Sequence, residues 1–347
     1  MKALLLTILR GLSPLFSLNH LIRLSGEKLF LPVYHLSSDH PCPHIEHIYP
    51  IRNSQTFRQD LDTLLKHYQP LSWPELKTLI EEKRAPDKPS FFLSFDDGLR
   101  EIHEVVAPIL AEKGVPACFF LNPAFLDNRQ LFFRFKAGLL IDRMMKADIS
   151  ITQQKKIVAL FSTHQLPFLR PASFLNITYQ QQAILDQAGK ILAVDFGLFL
   201  QKQQPYLSTK QVRNLLSQGF SIGAHSMDHP MYGDLPLAEQ HKQTIDSIQF
   251  LQENFGMTDR IFAFPFTDDG VAEDFFTQSL HPDQGFMDAS FGCAGIKHET
   301  FDRHLQRFPM ERSQDSATQL LKTEYLYYLV KGLLGKNVIH RPKQSTT

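Results

Sequence analysis

Residues 91–98, Phe-Phe-Leu-Ser-Phe-Asp-Asp-Gly, constrain the fold more than any other stretch of the chain. The run is apolar except for Ser94 and stops on two adjacent carboxylates and a glycine. Such a run reads as a strand buried on both faces, as in a parallel sheet covered by helices. Asp96 and Asp97 then stand at its C-terminal tip, where α/β folds bind ligands and do chemistry. Neighbouring side chains on a strand point opposite ways, so the two carboxylates can hold different partners: one a metal, the other a proton.

The rest of the chain supports an α/β reading. Its 347 residues suffice for one large domain or two smaller ones. Acids and bases cancel, 36 against 36, so no global field points to nucleic acid or an anionic membrane, and a neutral or small polar substrate fits better. Cys42, Cys118 and Cys293 have no short paired spacing and make no disulfide framework; Cys118 falls in an apolar strand pattern and reads as core. Arg10 interrupts the apolar start Met1 to Leu9, so residues 1–28 read as an amphipathic helix of the domain rather than a leader or anchor. No window is long and apolar enough to span a bilayer. Location stays open, with the cytoplasm ahead of envelope association, and the oligomeric state is unspecified.

Strand and helix patterns alternate over 29–124. A strand over Leu29–Leu36 precedes a helix carrying Phe57, Leu61, Leu64, Leu65 and Tyr68, and Ser72 with Glu75 forms a capping box for the next. After the Phe91–Phe95 strand, Ile102, Val105, Val106, Ile109 and Leu110 make a helix face closed by Gly114, and Val115–Leu121 is the parallel partner strand. The alternation returns over 206–316. A helix capped by Ser208 and Gln211 leads to a strand over Phe220–Ala224, and a helix over Leu237–Phe255 leads to a strand over Ile261–Phe266. Residues 125–205 show helical faces and no clear strand, which predicts a helical insertion. Residues 317–347 form a C-terminal helix and tail, with the helix over Leu320–Leu334.

A second stretch carries chemistry. In His225-Ser226-Met227-Asp228-His229 the histidines stand four apart after a strand, and a helical turn there would aim both imidazoles at one ion. Two histidines and one carboxylate leave coordination positions open, as a hydrolytic zinc site requires, and a second carboxylate off the metal can act as general base.

Ser94-Phe95-Asp96-Asp97-Gly98 resembles the first motif of the polysaccharide deacetylases, the NodB-homology family, and His225 to His229 resembles their second. The resemblance covers roughly 29–124 and 206–311. It implies a distorted (β/α) barrel and metal-dependent hydrolysis of N-acetyl groups on an amino-sugar glycan. By position, Asp96 resembles the general base, and Asp97, His225 and His229 the ligands of a divalent ion, Zn2+ first, with cobalt and nickel as alternatives. Phe262-Ala263-Phe264-Pro265-Phe266 resembles the third motif, with Pro265 and Phe266 at the substrate and a backbone N–H at the oxyanion. Ala263 stands where many members carry an arginine that orients the base. Either another group such as Arg307 replaces it, or the base is less well held. The late histidine that protonates the leaving amine is assigned to His304, ahead of His298, because Leu305–Met310 reads as a strand or its approach.

Other constellations read as structural. His35, after Tyr34 at a strand end, packs the site floor rather than ligating. The ligand-rich segment Asp39 to His47 is a loop whose prolines break any register, ahead of a second metal site. Asp268 and Asp269 contact substrate hydroxyls or cap a helix near Ala272. Two other function classes compete: a glycan-binding protein without turnover, which the alanine at 263 favours, and an iron-dependent oxygenase, which would not need Asp96 beside Asp97.

Overall fold

Eight short parallel strands carry the expected alternation, and the last two close the sheet on itself. The computed structural model describes residues 2–146 and 148–343. The strands are β1 (Pro32–Tyr34), β2 (Leu93–Phe95), β3 (Ala117–Leu121), β4 (Ser221–Ala224), β5 (Ile261–Ala263), β6 (Ala289–Gly292), β7 (His304–Gln306) and β8 (Phe308–Pro309). Neighbours pair in that order from β1 to β7, while β8 pairs with β1. Since β7 and β8 are one chain segment broken only at Arg307, that residue sits where the segment changes partner. The result is the distorted (β/α) barrel that the resemblance implied. Leu29–Phe30, Gln69–Pro70 and Ser90–Phe91 form a separate small sheet.

Alternation along each strand sorts the side chains. Phe92, Cys118, Phe120, Ile261, Ala263, Ala289 and Phe291 form one buried cluster inside the barrel, with Trp73 and Leu76 packed onto it. The residues between them, such as Phe91, Leu93, Phe119, Ile222 and Phe262, join the helices in a larger core. Apolar residues on both faces are what an enclosed parallel sheet demands, each large side chain adding about 1.5–3 kcal/mol by burial. The inner-face position 223 takes glycine because a Cβ there would stand 2.5 Å from the Phe120 ring.

Several boundaries move by a few residues. The strand expected over Ile261–Phe266 ends at Ala263, because the chain turns sharply at Phe266; the C-terminal helix begins earlier, at Ala317, where the Ser316 hydroxyl caps it. The expected N-terminal helix is two, Lys2–Leu12 and Leu18–Ser25, both packed on the Ala317–Leu333 helix. No single described helix is long and apolar enough to cross a membrane; these two pass that test only as a pair bent by 117°. Residues 1, 147 and 344–347, within the expected end segments and insertion, lie outside the described residues.

Between β3 and β4 the described chain contains helices and no strand, including Phe133–Lys146, Ile151–Thr163, Ala183–Leu192 and Phe196–Gln203. These helices share a core with Leu36, Cys42, Ile45 and Leu99 from the strand-end loops of the barrel. The insertion therefore packs onto the C-terminal rim, where Asp96 and Asp97 stand.

Candidate active site

Asp96 follows Ser94 on the inner face of β2 and is 5% exposed. Arg307 meets it from the closing segment. Its two Nη atoms donate to the two carboxylate oxygens at 2.6 and 2.8 Å, Nη1 also donates to Ser94 Oγ at 3.1 Å, and Nε donates to the Gly292 carbonyl. The guanidinium is fully buried, 5.3 Å from the Phe120 ring. A planar fork matched to a carboxylate fixes direction as well as charge. Burial alone would raise the Asp96 pKa, but Arg307 and then His225 outweigh it and hold the group below the ordinary carboxylate value. The position left by Ala263 is thus filled from the far end of the barrel domain.

Asp97 points elsewhere because its backbone is left-handed, φ 69°, followed by Gly98 at 62°. Its Oδ1 lies 3.2 Å from His229 Nε2 and 3.7 Å from His225 Nε2, and the donor atoms of the three residues all lie within 4.8 Å of one another. The histidines do not converge by helical spacing. Residues 225–230 form no helix, and Ser226 and His229, both at φ 64°, turn the chain twice to bring the rings together. The Ser226 hydroxyl accepts from the His229 amide at 3.0 Å, and Asn122 Nδ2 donates to the Ser226 carbonyl at 3.2 Å. Left-handed non-glycine residues gathered at one place are costly, and persist only where the surroundings over-determine them.

The cluster suits a divalent ion. His225 Nδ1 donates to the Ala263 carbonyl at 2.8 Å, which leaves Nε2 bare, 3.7 Å from Asp97 Oδ1 and 3.8 Å from Asp96 Oδ2. Burial holds His225 near pKa 4, so its imidazole is neutral, as a ligand must be. Asp97 Oδ1 is buried with no hydrogen-bond partner among the described residues, although it faces both Nε2 atoms. A buried carboxylate oxygen that faces two imidazole nitrogens and accepts no hydrogen bond fits the ligand set of a divalent cation.

Pro265 and Phe266 adjoin the cluster. The Thr267 amide donates to the Pro265 carbonyl at 2.6 Å across Phe266, whose φ is 57°, and the Phe266 ring stands edge-on to His229 at 4.4 Å. Phe132 of the insertion lies on the same imidazole at 4.4 Å, and Tyr179 donates to Asp228, between His225 and His229, at 2.6 Å. The insertion walls the centre directly.

His304 is not brought to this centre. Arg307 and Leu305 point into the barrel, so His304 points outward, against Phe276 of the helix layer and Phe264 at the end of β5. Both ring nitrogens are engaged there, Nδ1 with Ser290 Oγ at 2.8 Å and Nε2 with Asp268 Oδ2 at 3.1 Å. Its assignment as proton donor fails on strand parity. Asp268 is neither exposed to a substrate nor a helix cap, since it is buried beside His304 and bonded by Arg341 and Gln306. His298 sits farther out, with Glu27 and Tyr328.

The strand-end histidine is the one at the centre. His35 Nδ1 lies 2.5 Å from Glu311 Oε2, and its backbone amide donates to the same carboxylate at 3.1 Å. Burial would lower the His35 pKa, but Glu311, with smaller contributions from Asp97 and Asp96, raises it to about 9. The imidazole therefore carries a proton at neutral pH. Its place after Tyr34 was visible in the sequence; Glu311, 276 residues away, gave no signal.

A family model described as polysaccharide deacetylase matches residues 83–274. A search of the curated proteins finds no match. Among solved structures, the Streptococcus pyogenes deacetylase PplD in complex with acetate is similar with a TM-score of 0.53 at 16% identity, over 86% of this chain and 98% of that one. IcaB from Ammonifex degensii is similar with a TM-score of 0.52 at 15% identity, again over 86% and 98%. At such identities the likeness is one of fold.

Proposed function

The chain belongs to the polysaccharide deacetylase family, hydrolases of non-peptide carbon–nitrogen bonds, and from that premise we propose that it removes N-acetyl groups from an amino-sugar glycan with a divalent ion held by Asp97, His225 and His229. The observation that carries this is the divided pair of carboxylates: Asp97 Oδ1 faces both imidazole nitrogens and accepts no hydrogen bond, while both oxygens of Asp96 are taken by Arg307. We assign the ion as Zn2+; when bound, such an ion lowers the pKa of a water and polarises a carbonyl.

The side chains divide the remaining work. Asp96, kept anionic and aimed by Arg307, takes a proton from the attacking water. The water oxygen bonds to the acetyl carbon and the carbon–nitrogen bond breaks. His35, protonated through Glu311, gives its proton to the leaving nitrogen, so acetate and a free amine result. The Phe266 amide, left out of the Pro265–Thr267 hydrogen bond, is assigned to the developing oxyanion, with Pro265 shaping the wall. The alternative of a glycan binder without turnover drew on the alanine at 263; with Arg307 on Asp96 that ground is gone.

The test is acetate release from N-acetylated glucosamine oligomers by metal-loaded protein, with metal content measured in parallel. A stoichiometrically loaded wild type that releases no acetate would rule out the proposed reaction.

A further inference from the structure

Tyr49 lies against His35, and nothing in the mechanism above uses it. Its ring stacks on the His35 imidazole, centroids 4.4 Å apart and planes at 25°. The residue is partly exposed, and it lines a cleft of about 570 Å3 together with Ser38, Asp39, His40, Asn53 and Gln314. Its hydroxyl is on the inner side. That oxygen is buried and has no hydrogen-bond partner among the described residues, a state that polar groups rarely keep without a purpose. Burial, then the charges of Asp97 and Glu311, push its pKa well above the ordinary phenolic value, so the group is a neutral donor under the influence of those two carboxylates.

The cleft's size is that of small-ligand sites, about 300–1,000 Å3. Its lining offers hydroxyl and amide groups and, at Asp39 and Glu46, two carboxylates, which suits an uncharged polyol and disfavours an anion. We propose that this cleft is the subsite for the sugar next to the reacting one, and that Tyr49 joins it to the reaction. The Tyr49 ring is the inner wall against which that sugar rests, and its hydroxyl donates a hydrogen bond to the acetyl oxygen of the reacting residue. A donor already oriented and dehydrated stabilises charge on that oxygen without reorganising. The inference rests on the deacetylase reading.

The experiment uses the full chain loaded with Zn2+. Tyr49→Phe keeps the ring stack and removes only the hydroxyl. We expect unaltered metal content and melting temperature, acetate binding weakened about fivefold or more by calorimetry, and kcat on the N-acetylglucosamine tetramer lowered about 100-fold, the scale of one lost oxyanion donor. Gln314→Trp, with His40→Trp as a second filling of the cleft, should lower kcat/KM for the tetramer about tenfold more than for the monomer, the loss of roughly one subsite contact. Wild type that releases no acetate overturns the deacetylase reading and this inference with it. Active wild type with Tyr49→Phe equal to it in acetate affinity and kcat, or with both cleft variants leaving the tetramer-to-monomer ratio unchanged, overturns this inference alone.

Discussion

Two buried clusters of acid and imidazole stand on opposite faces of the same barrel wall, and their difference explains why only the inner one suits a divalent ion. Asp97, His225 and His229 face inward; Asp268, Glu299 and His304 lie outside, and in both groups the donor atoms are within 4.8 Å of one another. In the outer group the protein has supplied the cation itself. Arg341 bonds both Asp268 and Glu299, and Gln306 Nε2 donates to the same two carboxylates at 2.7 and 2.6 Å. The inner group has no such filling, and Asp97 Oδ1 stays without a hydrogen bond. A third set, Glu46, His47 and Asp142, is likewise filled, by Lys146 at 2.7 and 2.6 Å. Ligand types alone do not make a metal site; an unfilled place for the charge does.

The comparison breaks first on the inner ligands. Asp97→Ala, His225→Ala or His229→Ala should lose the metal from purified protein and reduce acetate release by at least about 1,000-fold, since ligand and activated water go together. Elemental analysis with an acetate assay checks this, and a variant that keeps both metal and turnover would remove that residue from the centre. Asp96→Asn should instead keep the metal and lose about 100- to 10,000-fold in kcat, the range for a positioned base. Equal turnover in that variant would reverse the division between the two carboxylates.

The outer cluster should answer in stability rather than metal. Arg341→Met leaves Asp268 and Glu299 without their cation and should cost about 3–5 kcal/mol in denaturant unfolding. Metal content should remain that of wild type; a drop in metal with unchanged stability would mean that the two clusters are not separate.

The smallest expected effect concerns His35. Its pKa of about 9 lies above the ordinary 6.5, so the bond to Glu311 stabilises the fold fully below 6.5 and loses that contribution as pH rises through 9. Activity that needs the protonated ring falls over the same alkaline range. Glu311→Gln should move that limb toward lower pH, while the remaining charges that face the ring, Asp97 and Asp96, limit the displacement. An unmoved alkaline limb of kcat would take the proton donor's role from His35.

Much of the inner site was legible because it is local. Asp96 and Asp97 follow one apolar run, His225 and His229 lie within five residues, and each pair stands at a strand end that alternation and capping signals locate. What local pattern could not give was direction. The histidines looked convergent by helical spacing, yet two left-handed residues bring them together. His304 looked available, yet its parity on the closing segment turns it outward, three positions from Arg307.

By itself, then, the sequence determined the parallel α/β architecture, the helical insertion and the identity of the metal-ligating and base candidates, since periodicity and short spacing are properties of contiguous residues. The tertiary structure decided the partners, choosing Arg307 from the two alternatives that Ala263 left open and adding Glu311, which local pattern did not offer. Arg307 reaches Asp96 across 211 positions and Glu311 reaches His35 across 276, because the barrel's closing segment returns to the first strand. Which acid–imidazole cluster is free for an ion also depended on Arg341, a residue of the C-terminal tail. Ring closure of the sheet sets these pairings, and no signal along the chain encodes a contact made only when its two ends meet.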